Sequence, residues 1–222
     1  MKIVFFGDSV TEGCFEILKI NGEWDLLKDP SSCFASILTE RLKEKYPSTN
    51  VESVNAGCSG DGTEDAIRKI KEKVLDENPD LVVFCFLLND AGKRDLARYE
   101  RNLRVLFDQL KERGIKTIYL TPNTYNTYVS PETPPHLVEM AYDCADCENS
   151  GAFALHAELG KKIAREYGFY VADAYSEWKK LQSYGIDITA LLCNHINHPS
   201  RKMHNLFADI LLRCIEENGL IK

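Results

Sequence analysis

Four short segments of the chain are continuously apolar, β-branched or aromatic, and stretches with helical periodicity separate them. The segments are Lys2–Phe6, Val51–Asn55, Asp80–Leu88 and Lys116–Thr121, and Phe169–Asp173 is a weaker fifth. Apolar runs without polar alternation are typical of parallel strands that are buried on both faces. The pattern therefore predicts a parallel sheet at the centre of the fold.

Apolar residues recur every three or four positions between and after these segments. The five stripes are Phe34, Leu38 and Leu42; Ile67, Ile70 and Val74; Leu96, Leu103, Leu106, Phe107 and Leu110; Leu155, Leu159 and Ile163; and Leu206, Ile210 and Cys214. Strands that alternate with such helices predict a sheet covered on both faces, which is a three-layer α/β/α sandwich in a single domain, 1–222. Because ligands of these sheets bind at the carboxyl ends of the strands, functional residues are expected in the loops that follow them.

Two longer segments follow the first and fourth strands and lack a clear period. They are Cys14–Asp29 and Pro122–Ser150. We predict that both are irregular loops on the functional edge of the sheet, where long loops often act as lids or binding walls.

The charge of the chain restricts its partners. The formal net charge is −7, and no block of lysine and arginine occurs. Nucleic acid is therefore a poor partner, and a small neutral or cationic molecule is favoured. The apolar run Ile3–Phe6 is too short for a signal-peptide core, and no segment reaches the roughly 18 apolar residues of a membrane span. We predict a cytoplasmic protein without a membrane partner.

Eight cysteines are scattered along the chain among apolar residues. In a protein predicted to be cytoplasmic, buried thiols are favoured over disulfides. Cys144 and Cys147 form a Cys-x-x-Cys pair, but no second pair follows at the spacing of a zinc ribbon. A buried or incidental pair is therefore the favoured interpretation.

Polar residues and glycines follow three of the predicted strands. In GDSVTEG, Ser9 either presents a nucleophilic hydroxyl at the edge of the sheet or, with Asp8, only caps a turn. In NAGCSGDGT, glycines 57, 60 and 62 allow backbone N–H groups to point at an anion. In LLND, Asn89 either forms a turn or donates its amide to an oxyanion.

Two histidines lie three residues apart in CNHINHPSR, the segment Cys193–Arg201. The spacing of His195 and His198 would suit a metal, but nothing nearby completes a set of three or four ligands, so we predict neither a metal nor a cofactor. Pro199 suits the first turn of the last predicted helix, because the N–H that proline lacks has no partner there.

Taken in this order, these four segments resemble the blocks of the SGNH hydrolases, the esterase superfamily also called GDSL lipases or acylhydrolases. The resemblance extends from Lys2 to the last helix. It implies a flavodoxin-like fold with a doubly wound, five-stranded parallel sheet. It also implies that Ser9 is the nucleophile, that His198 is the base, and that Gly60 and Asn89 are oxyanion donors.

Two positions depart from the family pattern. Leu87 replaces the glycine of the third block, and His195 stands where the triad aspartate is usual. A protonated His195 would repel an imidazolium, but a neutral His195, a backbone carbonyl or the side-chain oxygens of Asn194 and Asn197 could accept a hydrogen bond from His198. Among these we predict a Ser9–His198 dyad in which a backbone carbonyl of Cys193–Ile196 holds Nδ1–H of His198. His195 would then be a structural or substrate-lining residue. Four residues are expected to contact the substrate: Asp8, Leu87, Tyr125 and His195.

The resemblance implies a serine ester hydrolase that forms an acyl-enzyme. Its expected substrate is a small-molecule ester with a short acyl or O-acetyl group, for example on a carbohydrate. One alternative is a non-catalytic SGNH-like module that only binds a ligand, although all four catalytic residues are present. Another is a flavodoxin-like nucleotide binder that uses GCSGDG, although the chain lacks a P-loop lysine.

Overall fold

The computed structural model describes residues 1–221, apart from the side chain of Trp24. The strands are β1 (Lys2–Gly7), β2 (Cys14–Ile20), β3 (Glu23–Lys28), β4 (Glu52–Asn55), β5 (Leu81–Cys85), β6 (Lys116–Thr121) and β7 (Tyr170–Asp173). The helices are α1 (Ser9–Glu12), α2 (Phe34–Lys45), α3 (Thr63–Lys73), α4 (Leu88–Ala91), α5 (Leu96–Glu112), α6 (Val138–Asn149), α7 (Ala152–Glu166), α8 (Ala174–Ser183) and α9 (His204–Glu217).

Five of the strands form a parallel sheet in the order β4-β1-β5-β6-β7. All five predicted strands are confirmed, with ends shifted by a few residues, and the order is that of a doubly wound sheet. The third predicted strand is the most shortened, because β5 stops at Cys85 and Leu88 already begins α4. The central strand β5 is buried along its whole length, as its continuous apolar sequence requires.

Helices cover the sheet in two layers. On one side α2 packs against α9, and on the other α5 packs against both α3 and α7. The interior is rich in aromatic rings: Phe84 meets Phe107 edge to face with ring centres 5.2 Å apart. The predicted three-layer α/β/α sandwich is confirmed. None of the helices within residues 1–221 has the length and apolar character that a bilayer-crossing segment needs.

The prediction that Cys14–Asp29 is irregular is wrong. The segment is an antiparallel hairpin of β2 and β3, which form a separate two-stranded sheet. Asn21 and Gly22 form its turn with φ values of 52° and 86°. An Asn-Gly pair favours this left-handed geometry and is a strong hairpin signal, which the apolar pattern alone does not contain.

The prediction for Pro122–Ser150 is wrong in its second half, where α6 runs from Val138 to Asn149. A further helix that was not predicted, α8, begins after Asp173, whose side chain accepts a hydrogen bond from Ser176 N–H. In α6 the apolar residues form only a weak stripe, whereas Tyr175, Trp178 and Leu181 of α8 do recur every three positions, and this short stripe was overlooked.

The segment around Pro199 also differs from expectation. Pro199 pairs with Leu192 in an isolated antiparallel bridge, and a 3-10 turn at Arg201–Met203 precedes α9, which begins only at His204. Pro199 is therefore not in the first turn of the last helix. The bridge closes a tight loop that carries both histidines.

All eight cysteines are free thiols, and six of them, including Cys144 and Cys147, are buried. Cys58 and Cys193 are only partly buried. The absence of disulfides agrees with the prediction for a chain whose cysteines lie among apolar residues.

Candidate active site

Ser9 lies immediately past the carboxyl end of β1, on the short helix α1. Asp8 caps this helix, because its Oδ1 accepts a hydrogen bond from Val10 N–H at 3.0 Å. A side chain at Gly7 would collide with Thr11 Oγ1 and with the carbonyl oxygen of Cys85. The turn thus requires glycine at its start, and it presents the Ser9 hydroxyl at the edge of the sheet.

The hydroxyl of Ser9 meets the ring of His198. Ser9 Oγ lies 2.9 Å from His198 Nε2, and both residues are buried. Asn194 fixes the loop that carries His198, since its Oδ1 accepts hydrogen bonds from the N–H groups of Ile196, Asn197 and His198, each at 3.0 Å. From the sequence Asn194 was considered only as an acceptor for the His198 ring, whereas its Oδ1 closes the turn, as asparagine commonly does.

The second ring nitrogen of His198 donates to a backbone carbonyl. Nδ1 lies 3.0 Å from the carbonyl oxygen of Phe15, and no carboxylate bonds to this ring among the described residues. The prediction that the carbonyl belongs to Cys193–Ile196 is therefore wrong, because the acceptor comes from β2 of the hairpin. A proton on Nδ1 leaves a lone pair on Nε2, which can accept the hydrogen of the Ser9 hydroxyl.

Burial lowers the pKa of His198 to about 4, although the hydrogen bond to Phe15 partly opposes the shift. The ring is therefore neutral at pH 7, which is the state that a general base needs before reaction.

Asn89 and Gly60 lie in the loops after β5 and β4. The Asn89 amide uses one hydrogen, since Nδ2 donates to the carbonyl oxygen of Asp61 at 2.8 Å. Gly60 has a φ of 82°, a left-handed conformation that favours glycine. Among the described residues, the N–H groups of Ser9 and Gly60 make no hydrogen bond to a loop or side-chain acceptor. Two N–H groups and one amide hydrogen can thus serve an incoming oxyanion.

Glu12 links two of these loops. Its Oε2 accepts hydrogen bonds from the N–H of Ser59 at 2.9 Å and from the Ser59 hydroxyl at 2.5 Å. The other carboxylate oxygen, Oε1, lies 2.6 Å from Lys28 Nζ at the end of β3. The helix that carries Ser9, the loop of Gly60 and the hairpin are therefore joined at one side chain.

A cavity of about 460 Å³ opens at the Ser9 hydroxyl. Its polar lining comes from Ser9, Ser59, Gly60, Asn89, Asn197 and His198, and its apolar wall from Cys14, Ile17, Leu26 and Met140. The hairpin supplies three of the four wall residues and α6 supplies the fourth. Both segments were predicted to lie on the functional edge of the sheet, where long loops often act as binding walls, but the hairpin and the helix that form the wall were not predicted.

The four residues predicted to contact substrate do not line this cavity. Asp8 is buried under its own helix cap, and Leu87 is buried in the core. The hydroxyl of Tyr125 donates to the carbonyl oxygen of Leu88, and its ring packs on Phe153 with centres 4.7 Å apart. Hydrogen bonding and packing thus turn these side chains inward.

His195, the fourth, is turned away from the catalytic pair. It adopts a φ of 57°, and its Nε2 lies 3.2 Å from a carboxylate oxygen of the exposed Glu132. The prediction of a structural role agrees with this position, whereas the contact with substrate stays a prediction, since His195 does not line the cavity. Within residues 1–221, no group of three histidine, cysteine, aspartate or glutamate side chains is arranged to hold a metal.

Asp8, the residue before Ser9, has a strongly raised pKa. Burial raises its pKa to about 7, against the hydrogen bond from Val10, and the nearby Asp90 carboxylate adds to the rise. Its Oδ2 is buried without a hydrogen-bond partner among the described residues. A carboxyl group adjacent to the nucleophile therefore titrates near neutral pH.

Comparisons with known proteins give one family match. The model of the GDSL-like Lipase/Acylhydrolase family matches residues 5–206. A Bacillus subtilis (strain 168) protein named uncharacterized lipoprotein YqeF is 32% identical over 127 residues, which are 54% of this chain. The match spans about half of that relative, 47% of its length.

Solved structures share the fold at low sequence identity. An acetylxylan esterase of Geobacillus stearothermophilus, Axe2, superposes with a TM-score of 0.73 at 21% identity, over 96% of this chain and 93% of the other. The acetyl xylan esterase AlAXEase gives a TM-score of 0.73 at 19% identity, over 97% of this chain and 100% of the other.

Proposed function

Because this chain belongs to the GDSL-like lipase/acylhydrolase family, we propose that it is a serine ester hydrolase that removes short acyl groups, acetyl foremost, from carbohydrate esters. One observation carries the proposal. Ser9 Oγ lies 2.9 Å from Nε2 of a neutral His198, at the mouth of a cavity whose lining includes Gly60 and Asn89.

In the first step His198 acts as the general base. Nε2 takes the proton of the Ser9 hydroxyl while Oγ forms a bond to the acyl carbon, and the carbonyl electron pair moves onto oxygen. The Phe15 carbonyl keeps the other ring proton on Nδ1, so that Nε2 is the basic nitrogen throughout. This carbonyl takes over the orienting part of the role that an aspartate plays in a triad.

The oxyanion is held by three donors, which are the N–H groups of Ser9 and Gly60 and the amide of Asn89. Asp61 fixes the Asn89 amide before the substrate arrives, through the 2.8 Å bond to its carbonyl. Donors that are already oriented need not reorganise as charge develops, and each contributes about 3 kcal/mol to the transition state.

Collapse of the tetrahedral intermediate breaks the bond to the alcohol oxygen, which takes the proton from His198 Nε2. Water then gives a proton to His198 as its oxygen bonds to the acyl carbon. The second intermediate expels Ser9 Oγ, which recovers that proton, and the acid leaves. The proton that leaves with the alcohol is replaced by one from water, so Ser9 and His198 return to their starting states and no step requires a cofactor.

The preference for a carbohydrate acetyl ester rests on two observations. The superposed structures named above are described as acetylxylan esterases. The cavity also places Ser59 and Asn197 beside the catalytic pair, and their polar groups suit a hydroxyl-rich alcohol. The apolar wall of Ile17, Leu26 and Met140 lies on the same cavity and suits the acyl group.

The test is hydrolysis of p-nitrophenyl acetate, then of peracetylated xylose and glucose, by the wild type and by Ser9→Ala. We expect the wild type to release acetate, and Ser9→Ala to remain folded but lose about 10³-fold or more in kcat. A fluorophosphonate should label Ser9 alone. A folded wild type with neither turnover nor labelling would support the non-catalytic binding module instead.

The cytoplasmic location stays a prediction from the sequence. Cell fractionation with an antibody to the native protein tests it, and recovery of the protein in the membrane fraction would overturn it.

A further inference from the structure

The carbonyl that orients His198 comes from an irregular position in the hairpin. The pairing of β2 with β3 shifts between Cys14, which faces Lys28, and Glu16, which faces Leu27. Phe15 therefore has no partner on β3, and it occupies a β-bulge. Bulges redirect backbone groups, and here the Phe15 carbonyl points at His198 Nδ1 instead of at a neighbouring strand.

Arg201 holds this bulge from the solvent side. Its Nη1 lies 3.2 Å from Glu16 Oε1 on β2, and its Nε lies 3.1 Å from Asp29 Oδ2, just past the end of β3. The guanidinium carbon lies 4.2 Å from the centre of the Phe15 ring. The Arg201 guanidinium thus joins the two strands at the open end of the hairpin. It also covers the ring of Phe15.

Cys193 holds the same carbonyl from the inner side. Its Sγ lies 2.7 Å from the Phe15 oxygen, 3.3 Å from the carbonyl oxygen of His198 and 3.6 Å from that of Pro199. The Phe15 oxygen is the nearest acceptor for the thiol hydrogen, and it also accepts from Nδ1 of His198. A carbonyl oxygen has two lone pairs and can accept both. Burial raises the pKa of the Cys193 thiol to about 12, which keeps the hydrogen on sulfur at neutral pH.

We propose that Arg201 and Cys193 are positioning residues, which hold the Phe15 carbonyl on His198 Nδ1 and so fix the tautomer and the orientation of the base. Only the expected fall in kcat rests on the proposed function; the positioning of His198 does not. Neither side chain reaches the Ser9 hydroxyl or lines the cavity, so both act through Phe15. Because the Arg201 side chain is 42% exposed, its ion pairs contribute little to the free energy of unfolding. Its role is to fix the position of the Phe15 carbonyl.

Five variants test the proposal: Arg201→Ala, Arg201→Lys, Cys193→Ala, Cys193→Ser and the control Lys202→Ala. Lys202 is the next residue, is exposed, and makes no ion pair among the described residues. Serine keeps a hydrogen donor at position 193, whereas alanine removes it. Circular dichroism and thermal unfolding establish that each variant is folded.

The first measurement does not depend on activity. In protein labelled with ¹⁵N-histidine, the ring N–H of His198 should exchange slowly with water, because it is buried and bonded to Phe15. The signal is assigned by its absence in His198→Gln. We expect faster exchange in Arg201→Ala and Cys193→Ala, and exchange like that of the wild type in Cys193→Ser and Lys202→Ala.

The second measurement is the steady-state kinetics of p-nitrophenyl acetate hydrolysis. Arg201→Ala and Cys193→Ala should each lower kcat by about tenfold and change KM less than about twofold, since a misaligned base affects the chemical step. Cys193→Ser should recover most of the loss, and Arg201→Lys only part, because lysine cannot bridge both carboxylates in one plane.

The outcomes separate this inference from the proposed function. Unchanged exchange of the His198 proton in both alanine variants overturns the positioning role, even if kcat falls. The expected exchange pattern in a wild type without esterase activity would support the positioning role and refute the proposed function. If Arg201→Ala does not fold, the comparison of Cys193→Ala with Cys193→Ser decides the question.

Discussion

Glu12 Oε2 accepts two hydrogen bonds from Ser59, one from its N–H at 2.9 Å and one from its hydroxyl at 2.5 Å. Glu12 ends helix α1, which follows β1, and Ser59 lies in the loop that follows β4. The contact therefore sets the distance between the helix that carries Ser9 and the loop that carries the Gly60 N–H.

Removal of the Glu12 acceptor should weaken the oxyanion site. We expect Glu12→Ala to lower kcat on p-nitrophenyl acetate by about tenfold, because Gly60 moves away from its aligned position. Glu12→Gln retains an acceptor for Ser59 and should stay within about threefold of the wild type. Lys28→Ala, which removes only the exposed ion pair to Glu12, is the control. Equal losses in all three variants would mean that the ion pair matters and not the link to Ser59.

The Asn89 amide is expected to act mainly in the transition state. Asn89→Ala should lower kcat by about 10² to 10³ with little change in KM. Asn205→Ala, at an exposed position on α9, serves as the control for asparagine loss. A rise in KM with unchanged kcat would show that Asn89 binds the substrate in its ground state and not the oxyanion.

The two histidines of the last loop should respond very differently to replacement. His198→Ala removes the base and should abolish nearly all activity. His195→Gly should keep at least about a tenth of wild-type kcat, because His195 contacts Glu132 and not the cavity. Glycine is chosen because it tolerates the φ of 57° at this position. An equally deep loss in both variants would contradict the Ser9–His198 dyad.

Asp8 should make the folded state less stable as the pH rises. Its folded pKa of about 7 lies above the usual 3.8, so the folded state binds more protons than the unfolded state between these values. The contribution of Asp8 to the free energy of unfolding is therefore fully present below about pH 4, and it is lost as the pH rises from 4 to 7. Asp8→Asn keeps an acceptor for Val10 N–H but cannot ionise.

Between pH 5 and 8 the wild type should lose about 3 kcal/mol more free energy of unfolding than Asp8→Asn does, because the loss is about 1.4 kcal/mol for each pH unit between 5 and the folded pKa of about 7. Urea denaturation at the two pH values measures the difference. Parallel losses in the two proteins would show that Asp8 ionises freely in the folded state.

The sequence predicted the sheet well because its three inner strands, β1, β5 and β6, are buried on both faces, whereas the edge strands β4 and β7 are more exposed. A segment such as Leu81–Cys85 can satisfy its apolar side chains only in the interior, so its position is evident from composition alone. The hairpin was missed for the opposite reason. Its strands are partly exposed and mix charged with apolar residues, and only the Asn21-Gly22 turn indicates the pairing.

The site could be predicted only where side-chain chemistry identifies it. The roles proposed for Ser9, His198 and Asn89 use groups that their residue types provide, and the structure places Ser9 Oγ against His198 Nε2. The acceptor for Nδ1 is a main-chain oxygen, which every residue has, so no residue type marks Phe15. Its role depends on a bulge and on the closure of two distant segments, and neither is encoded in a local pattern.

The contact between Phe15 and His198 joins residues that are 183 positions apart along the chain. Contacts of such separation carry a large loop-closure entropy and tend to form late in folding. During synthesis, a nascent chain shorter than about 200 residues has a serine on a formed turn but no base to activate it. We therefore expect esterase activity to appear after the sheet has formed and only once Arg201 has emerged from the ribosome. The onset of turnover would then show that the two distant ends of the chain have come together, which a secondary-structure signal does not show.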